Sequence, residues 1–338
     1  MDLNTLLKNT SRSLYLSAKI LPDSIRPAFG LAYLLCRYAD TIADTPLLEP
    51  SKRLYWVEQF PQIVRTQDAA RSAELTRDLS GRSSTNPYEA ALIAHLPDCL
   101  AALKKIPTEQ QAFIFEVVEN VCTGMKKDLT AFAQPAPGTV KALATPEELK
   151  TYCRLMGGKP GLFWSQLIVQ TLAVQTDKEA FFTWGQQIGD ALQIVNVLRD
   201  LPQDLQNSRC YFPQSDLQAA GLQAQDLFNV QNSARFEPIK NKWLAWGKQN
   251  LKQAPAYYRA LPKTALRVRA SVAWPMLWTA DTFIRLAQTQ DLLNAHKRVK
   301  IPRRIIYGTM LVTPLLLLSN TLFEKWLNRK LKSLPDPS

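Results

Sequence analysis

Tyr33, Arg37, Asp40 and Asp44 follow one another at steps of four, three and four residues. On a helix that spacing places all four side chains on one face, with the two carboxylates a turn apart. Their neighbours Leu34, Leu35, Ile42 and Ala43 are apolar, which is not the setting of an ordinary solvated helix surface. Two carboxylates held this close repel each other unless a cation intervenes. Mg2+ is usually held by few carboxylates, with phosphate supplying further oxygens. Taken alone, an Asp-x-x-x-Asp pair is also what an exposed acid pair looks like. A second stripe sharpens the reading. Gln193, Asn196, Asp200 and Asp204 stand at steps of three, four and four within an otherwise apolar run, with Arg199 beside them as a partner for diphosphate. A buried polar stripe without partners is costly, so a structural accident is a poor explanation for it. Two such stripes, facing each other, would make an acidic cleft holding several Mg2+ ions. Those ions would neutralise a diphosphate and stabilise it as a leaving group.

Residues with these tasks need rigid elements behind them, and the chain reads as helical almost throughout. Apolar residues recur at three- and four-residue steps over 26–44, 51–65, 87–104, 108–129, 146–172, 178–200, 236–251 and 264–290. Prolines and polar clusters punctuate the gaps, with 80–87 and 133–139 reading as exposed loops. Pro202 lies between Asp200 and Asp204 and is expected to kink or end its helix there, leaving Asp204 at a helix end. The predicted fold class is all-α: a single-domain helical bundle of about ten helices with a central cavity, over residues 1–304.

Composition agrees. Only 12 of 338 residues are glycine, roughly half the usual share of about 7%, which argues against glycine-rich phosphate loops and hairpin-rich sheets. No Gly-x-Gly-x-x-Gly follows a strand, so a Rossmann-type domain is not expected. Five scattered cysteines and two histidines make a zinc site a poor fit and suggest reduced thiols in a cytosolic compartment. The N-terminus carries an early acid and no long apolar run, so it does not read as a secretory signal.

The net charge is +12, and much of the excess lies late. From Lys297 onward there are nine basic residues against two acids. No basic groove interleaved with aromatics appears, so nucleic acid is not an expected partner. Residues 305–323 carry no charge, between Lys297–Arg304 and Glu324–Lys330. Nineteen uncharged residues can just cross a bilayer core as a helix, with Tyr307 and Trp326 placed for its two interfaces. The same segment also reads as a buried helix closing the domain, because it contains Pro314, Ser319 and Asn320. Residues 305–338 are thus an apolar segment and basic tail suited to a membrane anchor.

In order and spacing, these motifs resemble those of the squalene and phytoene synthases, which join two prenyl diphosphates head to head. Ser11-Arg12-Ser13 resembles the family's opening motif. Tyr33, Arg37, Asp40 and Asp44 match its first aspartate-rich motif, and Gln193, Asn196, Arg199, Asp200 and Asp204 its second. Met125-Lys126-Lys127-Asp128, Tyr152-Cys153 and Arg209-Cys210-Tyr211-Phe212-Pro213 match its connecting segments. The resemblance implies an isoprenoid-synthase fold. It also implies condensation through a cyclopropylcarbinyl diphosphate to squalene or a related triterpene from farnesyl diphosphate, or to phytoene from geranylgeranyl diphosphate. The implied metal set for Mg2+ is Asp40, Asp44, Asn196, Asp200 and Asp204. The implied substrate set is Ser11, Arg12, Ser13, Arg37, Gln193, Arg199 and Arg209. Tyr33 and Tyr152, with Arg37 and Arg199, are the implied catalytic residues, the tyrosines assisting proton loss or steadying a cation.

The wording of both aspartate motifs is slightly closer to squalene synthases. Lys297–Arg304 is loosely similar to the basic stretch that helps those enzymes bind NADPH, which puts Lys300 and Arg303 forward as cofactor contacts; phytoene synthases carry basic residues nearby too. Relatives that serve as non-catalytic assembly factors usually lose the aspartates, and this chain keeps them. One departure stands out. Where the family has small apolar residues bordering the cavity, this chain reads Met156-Gly157-Gly158-Lys159-Pro160-Gly161, which should loosen or break that helix. Lys159 then either meets diphosphate or points to solvent. The expected form is a cytoplasmic monomer, peripheral to or C-terminally anchored at the inner face of a membrane.

Overall fold

Tyr38 stacks on Phe60 with ring centroids 5.2 Å apart, and around this pair the N-terminal helices assemble. The computed structural model describes residues 3–11, 14–45, 48–80, 87–133 and 139–335. Their helices fall into two compact units. The first holds residues up to Thr130 together with Gln166–Thr171, and the second holds the remainder.

The first unit contains α1 (Leu3–Ser11), α2 (Leu14–Lys19), α3 (Arg26–Asp44), α4 (Pro50–Thr66), α5 (Ala69–Ser80), α6 (Pro87–Ala94), α7 (Leu96–Leu103) and α8 (Thr108–Ala131). Pro27 sits in the first turn of α3, where its missing N–H costs nothing. Leu31, Leu34, Leu35, Tyr38 and Ile42 give the helix a broad buried face. On α8 the buried stripe is Ile114, Val117, Val118, Val121, Cys122 and Met125. Trp56 on α4 donates its indole N–H to Asp78 on α5 at 2.8 Å, and His95, just before α7, bonds Asp98 at 2.6 Å, a helix-end role.

The second unit begins with β1 (Lys141–Ala142) and α9 (Pro146–Cys153), then a π-helical turn (Arg154–Gly158) leading into α10 (Lys159–Thr171). The long α11 (Lys178–Gln206) follows, then β2 (Arg209–Cys210), α12 (Gln214–Ala219) and two 3-10 turns (Ala224–Phe228 and Val230–Asn232). It closes with α13 (Ser233–Leu251), α14 (Ala254–Ala260), α15 (Leu266–Gln288), α16 (Arg303–Leu318) and α17 (Asn320–Leu331). Helix α11 packs against the π-turn, α9, α13, α14 and α15. Sixteen of the 23 residues of α15 are buried, so it forms the interior of this unit.

The all-α expectation holds, and three local expectations are refined. Helix α11 does not end at Pro202. It runs on to Gln206, held by buried Leu198, Leu201 and Leu205 on both sides of the proline, and Asp204 lies in its last turn. The Gly-Gly-Lys-Pro stretch does not break its helix either: the chain takes a wider π-turn and re-enters α-geometry at Lys159, where Pro160 occupies a tolerated first-turn position. The uncharged run 305–323 forms two helices, split at Ser319, whose hydroxyl accepts from the N–H of Leu322 at 3.3 Å. Among the described residues no helix is long and apolar enough to cross a membrane.

These last two helices pack on α14 and α15. Buried Arg269 donates to the carbonyls of Tyr258 (3.2 Å) and Leu261 (3.1 Å), lies 4.0 Å over the Tyr258 ring, and reaches Asn320 Oδ1 at 2.6 Å. Buried Lys248 donates to the Leu334 carbonyl at 2.8 Å, and Lys330 pairs with buried Asp281. Trp274 donates to Thr313 Oγ1 at 2.8 Å, and Tyr258 stacks on Phe323 at 4.0 Å.

Candidate functional site

The first stripe lies in the first unit. Tyr33 donates its hydroxyl to the Thr10 carbonyl at 2.9 Å, tying the stripe's upper end to α1. Arg37 donates to Asp40 Oδ2 at 3.2 Å and lies 3.6 Å from Glu89 on α6. Although 37% of the Asp40 side chain is reached by solvent, its carboxyl is ringed by protein. This desolvation raises its pKa to about 6; Arg37 works against the rise, and the charges of Asp44 and Asp128 add to it. Burial by itself would lower the Arg37 guanidinium; Asp40, Tyr33 and Glu89 instead hold it above its ordinary value. The thiols of Cys36 and Cys122, within the electrostatic reach of Asp40, are pushed up chiefly by burial. Asp40 is therefore a desolvated carboxyl paired with Arg37 and flanked by the charges of Asp44 and Asp128, and a cation bound there would favour its charged form.

Asp128 closes the Met125–Asp128 motif but is not among the metal ligands that the family resemblance implies. The structure brings Asp128 into the field of Asp40. Glu89, the acid opposite Arg37, is missed as well, because nothing in its local sequence marks it. Arg12 and Ser13 lie outside the described residues, as does the side chain of Ser11, the last residue of α1.

The second stripe lies on α11 in the second unit. Asn196 donates to Gln193 Oε1 at 3.3 Å. Arg199 grips Asp200 with two hydrogen bonds, at 3.0 and 2.5 Å. Arg298, from the loop before α16, reaches the same carboxylate at 2.8 Å. Burial alone would raise Asp200, but these two guanidiniums outweigh it and hold the carboxyl below its ordinary value. Arg209 is fixed just past the helix: β2 pairs in parallel with β1, Arg209 opposite Lys141, after a turn in which Ser208 adopts φ +60°. Tyr152 on α9 stacks on Tyr211 at 4.5 Å, and Phe132 meets Tyr211 edge-on at 5.3 Å.

Close backbone approach positions this stripe. A Cβ on Gly157 would lie 2.3 Å from the Gly189 carbonyl oxygen and 2.6 Å from the Gln193 Cβ; one on Gly161 would lie 2.2 Å from the Gly185 oxygen. Small residues on both helices thus set the π-turn and α10 directly against α11 beside Gln193. Arg154 in the π-turn locks the arrangement with three hydrogen bonds of 2.6 to 3.0 Å to Asp190, whose side chain is fully buried. Lys159 is half-buried, and Lys300 and Arg303 are exposed. Of the late basic cluster, Arg298 is bound to an aspartate of the second stripe, Asp200, and no local pattern marks it; its neighbour Lys297 pairs with Asp291.

Among the described residues, no three His, Cys, Asp or Glu side chains stand close enough to form a metal cage by themselves. What each stripe offers is a short run of carboxylate and amide oxygens. That donor set fits a hard cation such as Mg2+, which leaves much of its shell to phosphate and water.

The profile of the family described as Squalene/phytoene synthase matches residues 7–304. The phytoene synthase of an Oncidium hybrid cultivar is 23% identical, over 90% of this chain and 66% of its own length. The chain thus spans just under two thirds of that relative. Among solved structures, that of TcSQS superposes with a TM-score of 0.77 at 18% identity, covering 98% of this chain and 95% of that one. A squalene synthase from Alicyclobacillus acidocaldarius superposes at 0.60 and 16% identity, over 85% and 92% of the two chains.

Proposed function

Since the chain belongs to the squalene/phytoene synthase family, we propose that it joins two allylic prenyl diphosphates head to head. The observation that supports this most directly is the presence of two aspartate stripes, each with an arginine bonded to its first aspartate: Arg37 on Asp40 and Arg199 on Asp200. The alternative, a non-catalytic membrane assembly factor, fits less well, because such relatives usually lose the aspartates that this chain keeps.

Asp40 and Asp44, and Asn196, Asp200 and Asp204, would hold Mg2+. When bound, that ion neutralises diphosphate oxygens and makes diphosphate a better leaving group. Arg37, Arg199 and Arg209 bind diphosphate oxygens through their planar donors. In the first half-reaction one substrate loses diphosphate to give an allylic cation. The double bond of the second substrate attacks it, and loss of a proton closes a cyclopropylcarbinyl diphosphate. In the second half-reaction the remaining diphosphate leaves and the cation rearranges to the 1-1′ linked skeleton. Hydride from NADPH then gives squalene, or loss of a proton gives the unreduced polyene. Tyr33 and Tyr152 are assigned to proton loss or to steadying the cation.

The first reading takes farnesyl diphosphate as substrate, on the wording of the two aspartate motifs, with NADPH near Lys300 and Arg303. A second reading, geranylgeranyl diphosphate to phytoene, is favoured by the phytoene synthase name of the Oncidium relative. The test incubates the protein with each diphosphate and Mg2+, with and without NADPH, and identifies the extracted hydrocarbon by mass. A C30 product supports the first reading and a C40 product the second. Release of no hydrocarbon or diphosphate from either substrate would remove the enzymatic reading.

A further inference from the structure

Helix α16 is amphipathic in the inverted sense. Its inward face is Thr309, Thr313 and Leu316, and the threonine hydroxyls are satisfied by the carbonyls of Ile305 and Thr309 at 2.8 Å each. Its outward face is apolar: Leu311 is 82% exposed and Leu318 75%, with Leu315 exposed between them and Tyr307 exposed one turn before. The helix cannot turn this face inward. Trp274 holds Thr313 at 2.8 Å, and the Tyr258 hydroxyl donates to the Leu316 carbonyl at 3.1 Å. Leaving several large apolar side chains in water side by side, on a helix that carries no charge after Arg304, is the mark of a surface that meets another apolar phase.

The charges around the stripe identify that phase. Lys300, Arg303 and Arg304 are exposed at its beginning. On α17, exposed Leu322, Lys325 and Arg329 stand at three- and four-residue steps and so share one face. An apolar helix face bordered by cations and led by a tyrosine is suited to the headgroup region of an anionic bilayer, where leucines enter the acyl boundary and basic residues meet lipid phosphates. The length fits lying flat: 16 residues make about 24 Å of helix, short of a bilayer core of roughly 30 Å.

We propose that the Tyr307–Leu311–Leu315–Leu318 face of α16 docks the protein in the plane of an anionic lipid bilayer, without crossing it. The test is flotation of the full chain with vesicles of phosphatidylcholine alone or mixed with phosphatidylglycerol. The wild type should float with the anionic vesicles at low salt, and about ten-fold less with neutral vesicles or at high salt. Leu311→Glu/Leu318→Glu should lose about hundred-fold in vesicle affinity, roughly ten-fold for each leucine no longer buried. It should keep the wild-type circular dichroism and melting temperature, since both positions are exposed. Arg303→Gln/Arg304→Gln should weaken binding to anionic vesicles only. Should the glutamate pair fail to fold, Leu311→Cys carrying a polarity-sensitive dye gives a second readout, a blue shift on adding anionic vesicles. A wild type that stays unbound, or a glutamate pair that folds and floats equally well, overturns the proposal. So does a concentration-dependent dimer that the glutamate pair abolishes while vesicles bind neither protein, because a second copy would then be what covers the face.

Discussion

Arg298 donates to Asp200 at 2.8 Å from a loop 98 residues further along the chain. With Arg199 on the other side, the carboxylate proposed to hold a cation is already neutralised by two side chains. A divalent ion arriving at Asp200 has to compete with them. Arg298 is half-exposed, so its hold is screened by water and worth about 1 kcal/mol or less. Arg298→Gln is therefore expected to lower the Mg2+ concentration needed for half-maximal thermal stabilisation by roughly two- to five-fold. Asp200→Asn should remove that response from the second stripe. An unchanged midpoint in Arg298→Gln would mean that the ion does not bind at this carboxylate.

The glycines beside Gln193 give a stability prediction with an internal control. A methyl group on Gly161 or Gly189 would have to lie within 2.2 Å of a backbone carbonyl oxygen on the facing helix. Backbone cannot give way as a flexible side chain can, so Gly161→Ala and Gly189→Ala should each cost roughly 1–3 kcal/mol. Thermal melts should fall by about 3–10 °C. Gly308, on exposed α16, has nothing within 4 Å of its built Cβ. Gly308→Ala should be neutral or stabilising by up to about 1 kcal/mol, as expected for a helix-interior glycine with open space around it.

Much of this organisation was legible in the sequence, and the exceptions share a physical cause. Helical periodicity locates α3, α8 and α15 to within about two residues and α11 at its start, and the spacing of Asp40–Asp44 and Asn196–Asp200–Asp204 places each set on one helix. What escaped depended on contacts distant in sequence. Pro202 by itself predicts a kink or an end to its helix, but packing on both sides carries the helix past it. Gly157-Gly158 suggested looseness, yet these residues serve close approach to α11. Arg298, Glu89 and Asp128 acquire their meaning only from partners 98, 52 and 88 residues away, at Asp200, Arg37 and Asp40, and no local pattern encodes that.

Asp190 and Arg154 give the pH prediction. Burial raises the Asp190 pKa, and its hydrogen bonds to Arg154 oppose the rise without cancelling it. A carboxyl raised in the folded state favours folding most when protonated. Its contribution is complete below the unfolded value, near 3.9, and is lost as pH climbs through the folded value. The stability difference between wild type and Asp190→Asn should therefore move in favour of the variant as pH rises above about 4, measured by urea denaturation. Arg154→Ala leaves a fully buried carboxyl without its three hydrogen bonds and should cost about 3–5 kcal/mol at neutral pH. Parallel denaturation curves at both ends of the pH range would show that Asp190 does not titrate differently in the folded protein.

The last prediction separates a docking face from a dispensable tail. Ending the chain after Arg304 would remove Asn320 from buried Arg269, the Leu334 carbonyl from buried Lys248 and Lys330 from buried Asp281. It would also strip Thr313 from Trp274 and Phe323 from Tyr258. Stranding a buried charge costs roughly 3–5 kcal/mol and a buried neutral donor about 1–3 kcal/mol. Arg269 keeps the Tyr258 and Leu261 carbonyls, but Asp281 and the Trp274 indole lose these partners, and the packing of Leu316, Phe323, Leu327 and Leu331 is lost as well. Together these losses are comparable to the whole stability of a typical domain, about 5–15 kcal/mol. The truncated chain should thus be insoluble or melt without cooperativity in calorimetry and circular dichroism. Leu311→Glu/Leu318→Glu, which alters only the outward face of the same helix, should melt like the wild type. A truncated chain that stayed soluble with a sharp, near-native transition would show that α16 and α17 are an appendage, and that the buried cations of α13 and α15 find other partners.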